Sequence, residues 1–323
     1  MRCFVSALFA LAVFGAFGRP AIEAAEAPPA SVGEPPPGTE IVHPADGSVM
    51  VWVPSGHFIM GMDRQAAQRL ASDLGYKDYH VIAAEEWFPR RRVYVEGFFI
   101  DRCEVTSEQW ARFVKATDYK PAVEGKAPQV RGDTASALLP VAGVTWADAQ
   151  RYANWAGKAL PTEKQWEKAA RGTDGRLYPW GNEPLSQERG VLVDLKTGGP
   201  TAALPVGSHP KGASPYGCMD MAGNLYEWTS EWMEPYPNNP ERERLLSYMG
   251  HRFGCLRGGS FYHGPYTYAC AKRFGLEPDE TYFHVGFRTV WEPPEGYFTS
   301  GEFEEARATV AARKGELEAL RTR

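Results

Sequence analysis

Apolar segments predict strands in the first part of the folded chain. The segment Val49 to Met60 begins with a strand-like alternation, Val49, Val51 and Val53 against Met50 and Trp52, and Pro54-Ser55-Gly56 marks a turn within it. A second apolar stretch, Val93 to Ile100, is predicted as another strand. The pattern therefore begins with β-structure.

Helical spacing follows in short segments. Residues Ala66 to Leu74 have it with little glycine or proline, which predicts a short helix. Three more helices are predicted from capping signals. Each begins after a threonine, and the residue three positions later has a side chain that suits a capping interaction. These helices are Ser107 to Ala116 after Thr106, Trp146 to Ala156 after Thr145, and Glu163 to Ala170 after Thr162. Short helices embedded in long, turn-rich connections predict an α+β domain.

The two ends of the chain differ from the middle. Met1-Arg2, the uncharged apolar run Phe4 to Phe17 and the alanines near position 25 predict a signal peptide over residues 1–27. A membrane anchor is the alternative, but the run is shorter than the roughly 20 residues that a bilayer span needs. We expect a secreted or periplasmic protein with no stable membrane span after cleavage. A Pro-rich linker over 28–46, a domain over 47–292 and a helical tail over 293–323 complete the expected organisation.

Composition narrows the class of protein. The 323 residues include 33 Gly and 26 Pro, so long helices cannot dominate and a helical bundle is excluded. The net charge is −5 and no long basic stretch occurs, which argues against nucleic acid as a partner. Beyond the signal peptide four cysteines remain, and the sequence leaves disulfides and buried thiols as equal alternatives. The cysteines are Cys103, Cys218, Cys255 and Cys270.

Seven motifs occur in the order typical of one protein family. They lie at 100–106 (IDRCEVT), 140–146 (PVAGVTW, followed by Ala149), 155–167 (WAGKALPTEKQWE), 178–182 (YPWGN), 220–228 (DMAGNLYEW), 257–260 (RGGS) and 286–288 (GFR). Together they resemble the formylglycine-generating enzyme, or sulfatase-modifying factor, domain over about residues 47 to 292. The resemblance implies a C-type-lectin-related α+β fold with little regular secondary structure, in agreement with the glycine and proline content.

One motif suggests a calcium site. The carboxylates of Asp220 and Glu227 flank the turn Gly223-Asn224, which can direct backbone carbonyls inward, and calcium prefers hard oxygen ligands of this mixed kind. On spacing alone, an Asx-turn beside a surface glutamate is an equal alternative. The resemblance implies Ca²⁺ bound by the side chains of Asp220 and Glu227 and by the carbonyls of Gly223 and Leu225.

A second, weaker calcium site is implied by the same resemblance. Asp194 with the carbonyl of Leu195 could supply its first half. No acidic residue follows between Leu195 and Pro205, so we expect this site to be incomplete or lost.

The reactive cysteines of the family are missing. In formylglycine-generating enzymes two cysteines shortly after the Arg-Gly-Gly-Ser motif bind copper(I), which prefers soft thiolate ligands, and activate oxygen. Here Cys270 is the only cysteine in residues 261–273, so the chain is not expected to make formylglycine by that route. A copper pair made of Cys255 and Cys270 is a less favoured alternative. The His-x₃-His-x-Glu motif of related iron-dependent sulfoxide synthases is also absent, and any redox metal stays unknown.

Candidate site residues cluster around the same stretch. His263 titrates nearest neutrality and is the first candidate for an acid/base group or metal ligand, the alternative being a structural histidine. Tyr262, Tyr266 and Tyr268 alternate along an expected strand, which would place them on one face. The predicted catalytic set is His263, Ser260 and Arg273. The predicted substrate-binding set is Tyr226, Tyr262, Tyr266, His284 and Arg288, the arginines either holding an anionic group or pairing with core carboxylates.

Two functions remain open at this point. The first is an exported enzyme that oxidises or otherwise modifies a periplasmic peptide or small molecule in a pocket formed by Ser260, His263 and Arg273. The second is a non-catalytic, calcium-stabilised binding or assembly module, which could also use the insertion at 63–92 to contact a protein or glycan. A buried pocket with convergent polar groups would favour the enzyme, and a flat or aromatic-filled site would favour the binding module.

Overall fold

The computed structural model describes residues 33–76, 87–128, 136–193, 202–249 and 252–321. The expected signal peptide lies outside this part of the chain. The strands are β1 Glu40–Val42, β2 Val49–Val53, β3 Gly56–Met60, β4 Arg91–Val95, β5 Phe98–Asp101, β6 Tyr226–Trp232, β7 Gly254–Arg257, β8 Phe274–Leu276, β9 Val285–Gly286 and β10 Val290–Trp291. The α-helices are α1 Arg64–Asp73, α2 Ser107–Thr117, α3 Trp146–Trp155, α4 Glu163–Arg171, α5 Arg242–Met249, α6 Gly301–Ala308 and α7 Val310–Arg321.

The strands form three small sheets. One has the order β1-β2-β5-β10, a second is the ribbon β3-β4, and the third has the order β8-β7-β6-β9. In the third sheet β6 pairs antiparallel with β7 and parallel with β9. Of the residues expected at the functional site, Tyr226 and Glu227 lie on β6 of this sheet, and Arg273 and His284 come directly before β8 and β9.

The capping signals placed the helices correctly. Thr106 accepts a hydrogen bond from the amide of Gln109, whose side chain accepts in return from the amide of Thr106 at 2.8 Å. Thr162 and Gln165 make the same reciprocal pair at the start of α4. Thr145 caps α3 through the amide of Asp148. The predictions of α1 to α4 are confirmed within three residues at each end.

The apolar stretch from Val93 to Ile100 is two strands, not one. Strand β4 ends at Val95 and pairs with β3, whereas β5 begins at Phe98 and pairs with β2 and β10. Gly97 lies between them under the ring of Trp52, where an added Cβ would come within 2.4 Å of that ring. The chain changes sheets here, at a position that only glycine fits.

The domain begins earlier than predicted. Within the segment expected to be a linker, β1 pairs with β2, with Glu40 opposite Val51. Asp46 is fully buried, and its carboxylate accepts hydrogen bonds from Lys158 at 2.7 Å and from the hydroxyl of Tyr152 at 2.9 Å. The Pro-rich segment therefore ends before Glu40, because this edge strand and this carboxylate are parts of the fold.

The C-terminal tail is helical and packed. Phe303 of α6 joins the aromatic cluster of Trp52, Phe99 and Tyr297 on the outer face of the first sheet. Arg313 of α7 donates to Glu108 at 2.8 Å. The tail therefore covers one face of the first sheet and does not extend into solvent.

The cysteines are free thiols in the structure. Cys218, Cys255 and Cys270 are buried, and Cys103 is half-buried. Of the two alternatives, the structure shows buried thiols. Among the described residues no helix combines the length and apolar character needed to cross a membrane.

Candidate functional site

The Arg-Gly-Gly-Ser motif turns the chain sharply at the end of β7. Gly258 and Gly259 have φ values of +92° and +71°, in the region that favours glycine. At Gly259 an added Cβ would come within 2.7 Å of the hydroxyl oxygen of Thr267. The turn brings Ser260 into the interior, directly beneath His263.

Ser260 and His263 form a hydrogen-bonded pair. The hydroxyl oxygen of Ser260 lies 2.9 Å from Nδ1 of His263, and the amide of Tyr262 donates to the same oxygen at 3.4 Å. Because the oxygen accepts from that amide, its own proton is available to Nδ1, which favours the imidazole tautomer with the proton on Nε2. Burial, with smaller contributions from His284 and Lys272, lowers the pKa of His263 to about 4. The imidazole is therefore neutral at pH 7.

Aromatic rings surround this histidine. The ring of His263 meets Tyr226 at 5.1 Å, His284 at 4.8 Å and Phe274 at 6.0 Å between centroids. His284 in turn lies between nearly parallel rings of Tyr262 at 5.3 Å and Tyr282 at 5.5 Å. The ring of Phe283 also lies beside His284, at 5.1 Å. Three of the rings named above and Phe283 reach the surface, with exposed fractions of 37% to 61%, and we call them the aromatic platform: Tyr262, Phe274, Tyr282 and Phe283.

The second histidine of the cluster is also neutral. Burial lowers the pKa of His284, and its Nδ1 is buried with no hydrogen-bond partner among the described residues. Two neutral imidazoles therefore stand edge to face at the base of an exposed aromatic surface. This arrangement can transfer a proton, donate a hydrogen bond or ligate a metal ion, and its rim can hold an apolar or aromatic group.

Arg273 does not join this site. Its guanidinium donates to Glu163 at 2.6 Å and lies 4.4 Å from the ring centroid of Tyr236, in the interior. The next residue, Phe274, points to the other side of the chain, toward His263. Successive side chains of an extended chain point to opposite faces, so the predicted catalytic set is divided. Ser260 and His263 come together, and Arg273 belongs to a different cluster.

The expected strand of tyrosines is wrong. Residues Pro265–Tyr268 form a 3₁₀-helix, because the chain turns at Gly264-Pro265. Tyr266 is buried against Trp87 at 5.1 Å, so only Tyr262 of the three tyrosines is exposed.

Tyr268 has a supporting role that the sequence did not suggest. Its hydroxyl is placed to donate to the backbone carbonyl of His263, 2.5 Å away, or to that of Ser260, 3.2 Å away, and it accepts from the amide of Val193. It therefore fixes the backbone that holds the Ser260–His263 pair.

Arg288 pairs with a core carboxylate. Its Nε and Nη2 donate to the two oxygens of Glu227, each at 2.6 Å, and the indole of Trp166 donates to the same carboxylate at 2.7 Å. All three side chains are fully buried. Of the two roles considered for Arg288, the geometry shows the ion pair.

This ion pair bears directly on the predicted calcium ligands. Glu227 already has both oxygens engaged, so in this conformation its carboxylate does not fit a calcium ion. Asp220 adopts a φ of +59° and accepts from the amide of Gly207 at 2.6 Å. Burial raises the pKa of Asp220, although the amide of Gly207 and the charge of Arg288 act in the opposite direction.

Glu104 is a second buried acidic side chain beside Asp220. One oxygen of Glu104 accepts from the side-chain amide of Asn224 at 3.0 Å, and the other is buried with no partner in the part of the chain that is described. Burial and the nearby charge of Asp220 raise the pKa of Glu104 well above its ordinary value. An acid pair of this kind fits a hard cation, with Glu104 as an oxygen donor that the sequence did not suggest.

Other metal-binding predictions find less support. Asp194 and Leu195, the predicted weak second site, lie outside the described residues. Within the described ranges no cluster of three or more His, Cys, Asp or Glu side chains has the geometry to hold a metal ion. Burial raises the pKa of Cys270 to about 12 and that of Cys255 further, and the two thiols pack in separate parts of the core. They do not form a thiolate pair.

A family model described as "Sulfatase-modifying factor enzyme 1-like domain" matches residues 40–293. The chain belongs to this family. The matched range begins at the first residue of β1, in agreement with the early start of the domain.

Known relatives carry the names of modifying and oxidising enzymes. The chain is 33% identical to the formylglycine-generating enzyme of Thermomonospora curvata over 300 residues, which covers 76% of this chain and 93% of that protein. It is 29% identical to the hercynine oxygenase of Mycolicibacterium smegmatis over 289 residues, covering 77% and 62%.

Comparison with solved structures confirms the fold. The structure of PvdO from Pseudomonas aeruginosa superposes with a TM-score of 0.63 at 23% identity, covering 80% of this chain and all of that one. The formylglycine-generating-enzyme-like, C-type-lectin-related α+β fold is therefore as predicted.

Sequence reasoning missed part of the aromatic platform. Phe274, Tyr282 and Phe283 were not among the predicted site residues. The sequence Tyr282-Phe283-His284 just before the Gly-Phe-Arg motif was a usable signal, because loops carry many binding residues and adjacent exposed aromatic side chains can form a binding surface.

Proposed function

We propose that this chain is an exported modifying enzyme that acts on a peptide or small molecule through His263, without the copper–cysteine chemistry of formylglycine generation. The observation that carries the proposal is the 2.9 Å contact between Ser260 and Nδ1 of His263 at the base of the aromatic platform. Membership of a family whose named relatives modify or oxidise their substrates supports it.

The pair can present either form of Nε2 to a substrate. With the Ser260 hydroxyl donating to Nδ1, the imidazole carries its proton on Nε2 and donates. A hydroxyl both donates and accepts, so the hydrogen bond can reverse; Nδ1 then holds the proton and the Nε2 lone pair can accept a proton or ligate a metal. Ser260 is fully buried, so it acts by orienting His263 and is not the attacking group.

The platform suggests the kind of substrate. Tyr262, Phe274 and Phe283 offer ring faces and edges to solvent, and no other described region exposes so many large aromatic side chains together. An aromatic or apolar side chain of a peptide would stack on them and bring a neighbouring bond to His263. We therefore favour a peptide or small molecule with an aromatic or apolar group beside the modified position.

Mass spectrometry of a periplasmic extract tests this function. The wild-type chain is expected to produce mass-shifted species that His263→Gln does not produce, whereas the control His57→Gln, at an exposed histidine on β3, behaves as wild type. Species that persist with His263→Gln would contradict the assignment. If the wild type produces no mass-shifted species, the enzyme proposal fails and the binding module is the remaining candidate.

A calcium ion near Asp220 belongs to the same proposal. We propose that Glu104 and Asp220, with the carbonyls of Gly223 and Leu225, hold a structural Ca²⁺, and that Glu227 stays with Arg288. Metal analysis of the purified protein and a melt with and without chelator test this. Stoichiometric calcium and a lower melting temperature after chelation are expected, and an unchanged melt in metal-free protein would refute the site.

Export is proposed from the N-terminal sequence alone. Fusion of residues 1–27 to a reporter should direct it to the secreted or periplasmic fraction, and a variant in which charged residues interrupt the apolar run Phe4 to Phe17 should stay in the cytoplasm. Equal distribution of both fusions would contradict export.

A binding module is the second candidate, and one observation favours it. Rings fill the space around His263, as expected of a recognition surface, and Arg273 does not contribute a convergent polar group. In this case Tyr262→Ala and Phe283→Ala would each abolish partner binding while His263→Gln leaves it intact. The enzyme proposal predicts that both kinds of variant lose product.

A further inference from the structure

One cavity in the described part of the chain has no residue of the aromatic platform in its lining. Its volume is about 570 Å³, within the range typical of small-molecule sites. It lies between the β3–β4 ribbon, the first turn of α4 and the segment that follows β6. Part of its wall is apolar or aromatic, from Met60, Val93, Trp232, Pro235, Tyr236 and Pro237.

Tyr236 stands in this wall with an unsatisfied hydroxyl. Its ring lies against two guanidinium groups, with Cζ of Arg91 at 3.7 Å and Cζ of Arg273 at 4.4 Å from the ring centroid. The side chain is 4% exposed, and its hydroxyl has no hydrogen-bond partner among the described residues. Buried hydroxyl groups normally have a partner, so a ligand in the cavity is the natural acceptor for this one.

Arg91 is the second unsatisfied group. Its Nη1 is buried without a partner in the described part of the chain, and its Nη2 reaches only the sulfur of Met60 at 3.5 Å. Neighbouring interior arginines are different, since Arg273 pairs with Glu163 and Arg171 pairs with Glu167. Burial lowers the pKa of Arg91, although the nearby carboxylates of Glu167 and Glu163 act in the opposite direction.

The charges around the cavity suit a single negative charge. The lining contains four cationic side chains, Arg91, Lys164, Arg242 and Arg273, and three acidic ones, Glu163, Glu231 and Glu234. One positive charge is therefore in excess. A carboxylate balances it, whereas a phosphate dianion would leave a net negative charge in a partly closed space.

We propose that this cavity binds a carboxylate attached to an apolar or aromatic body. The carboxylate accepts hydrogen bonds from Nη1 of Arg91 and from the hydroxyl of Tyr236, and the body lies against Val93, Trp232 and the two prolines. Such a carboxylate could end a peptide or belong to a free organic acid. The inference does not depend on His263, because the two sites lie on opposite sides of Arg273-Phe274.

Calorimetric titration of the folded chain tests the proposal. The probes are N-acetyl-phenylalanine for a peptide end, 3-phenylpropionate for a free acid, N-acetyl-phenylalanine amide as the uncharged counterpart, and inorganic phosphate. At least one acid is expected to bind, more than tenfold more tightly than the amide, and the preferred acid identifies the source. Equal binding of the amide, displacement by phosphate, or no binding of either acid would overturn the proposal.

Matched variants locate the binding. Tyr236→Phe removes only the hydroxyl, and Arg91→Gln removes the charge; each should weaken the bound acid about tenfold or more at an unchanged melting temperature. Tyr94→Phe and Arg92→Gln alter exposed residues on the opposite face of β4 and should leave the affinity within twofold. Equal losses of affinity in the control variants would show that the acid does not bind in this cavity. If Arg91→Gln lowers the melting temperature, the affinity of Tyr236→Phe for the acid decides whether the acid binds in this cavity.

Discussion

The buried charge pairs of this domain and its aromatic platform are built from opposite kinds of side chain. The interior holds charge pairs, among them Arg288 with Glu227 and Arg273 with Glu163, all buried. The platform holds neutral rings and two neutral imidazoles near the surface. The difference shows what the family motifs specify.

Most family motifs supply the interior charges. Lys158 from the Trp-Ala-Gly-Lys motif binds Asp46 at 2.7 Å and Asp101 at 3.0 Å, and Arg257 from Arg-Gly-Gly-Ser pairs with Glu167. These residues hold the sheets and α4 together. The motifs therefore identify the fold, whereas the chemistry proposed for this member uses the stretch from Ser260, the last residue of the Arg-Gly-Gly-Ser motif, to His284. Each prediction below tests that division.

The largest expected effect is the loss of one partner of a buried pair. Arg288→Met leaves the Glu227 carboxylate buried with its charge unpaired, and should lower the free energy of unfolding by about 3–5 kcal/mol. Denaturant unfolding measures this loss.

Removing both charges, in Arg288→Met with Glu227→Leu, should recover part of that loss. Arg307→Met, at an exposed pair with Glu304, should cost less than about 1 kcal/mol. A similar cost for Arg288→Met and Arg307→Met would contradict the division.

The acid pair near the proposed calcium site should make stability depend on pH. The folded-state pKa values of Glu104 and Asp220 are raised, so the folded chain binds more protons than the unfolded chain above pH 4, and their contribution is lost as pH rises. In chelator, Glu104→Gln should therefore melt several degrees above wild type at pH 8, with the gain shrinking toward pH 4.

Calcium should reverse that order. With excess Ca²⁺ the wild type keeps its charged ligand and is expected to melt above Glu104→Gln. Thermal melts of both proteins at pH 5 and 8, with and without Ca²⁺, measure the two effects. A variant that is less stable than wild type under all four conditions would refute the strained acid pair.

His263 should titrate far below the ordinary range of histidine. Burial lowers its pKa to about 4, so the folded chain binds fewer protons than the unfolded chain between about pH 4 and 6.5. His263 therefore adds stability that is present above pH 6.5 and is lost as pH falls toward 4. Nitrogen-15 NMR of the imidazoles should show this midpoint and a proton on Nε2. A midpoint above pH 6 would contradict a half-buried histidine that is neutral at pH 7.

The smallest effects on stability are expected on the platform. Tyr282→Ser and Phe283→Ser change exposed side chains and should alter the free energy of unfolding by about 0.5 kcal/mol or less, measured by denaturant unfolding. Product formation should nevertheless fall in both variants. A loss of several kcal/mol would show that the platform is part of the core.

The fold could largely be predicted from the sequence because its signals are local. Thr106 and Thr162 each predict a helix start because a glutamine three residues later completes a capping box. The ordered motifs identify the family. The break between β4 and β5 could not be predicted, because it depends on Trp52 packing over Gly97, a contact between residues far apart in sequence. The same holds for β1, whose place in the sheet depends on β2.

The candidate site was predicted only in part. His263 and Ser260 were identified by residue type and come together as expected. Arg273 was placed with them because it is near in sequence, but strand geometry directs it to Glu163 and Tyr236. The acid partner Glu104 was missed because it lies more than a hundred residues before Asp220, and nothing in the local sequence joins them.

The central claim is that chemistry resides at His263 and not in the motif-built interior. The rate of product formation by His263→Gln, measured where wild type and variant are equally folded, tests it most directly. We predict that the variant loses product while its melting temperature stays within a few degrees of wild type. A variant that forms product at the wild-type rate would contradict the account.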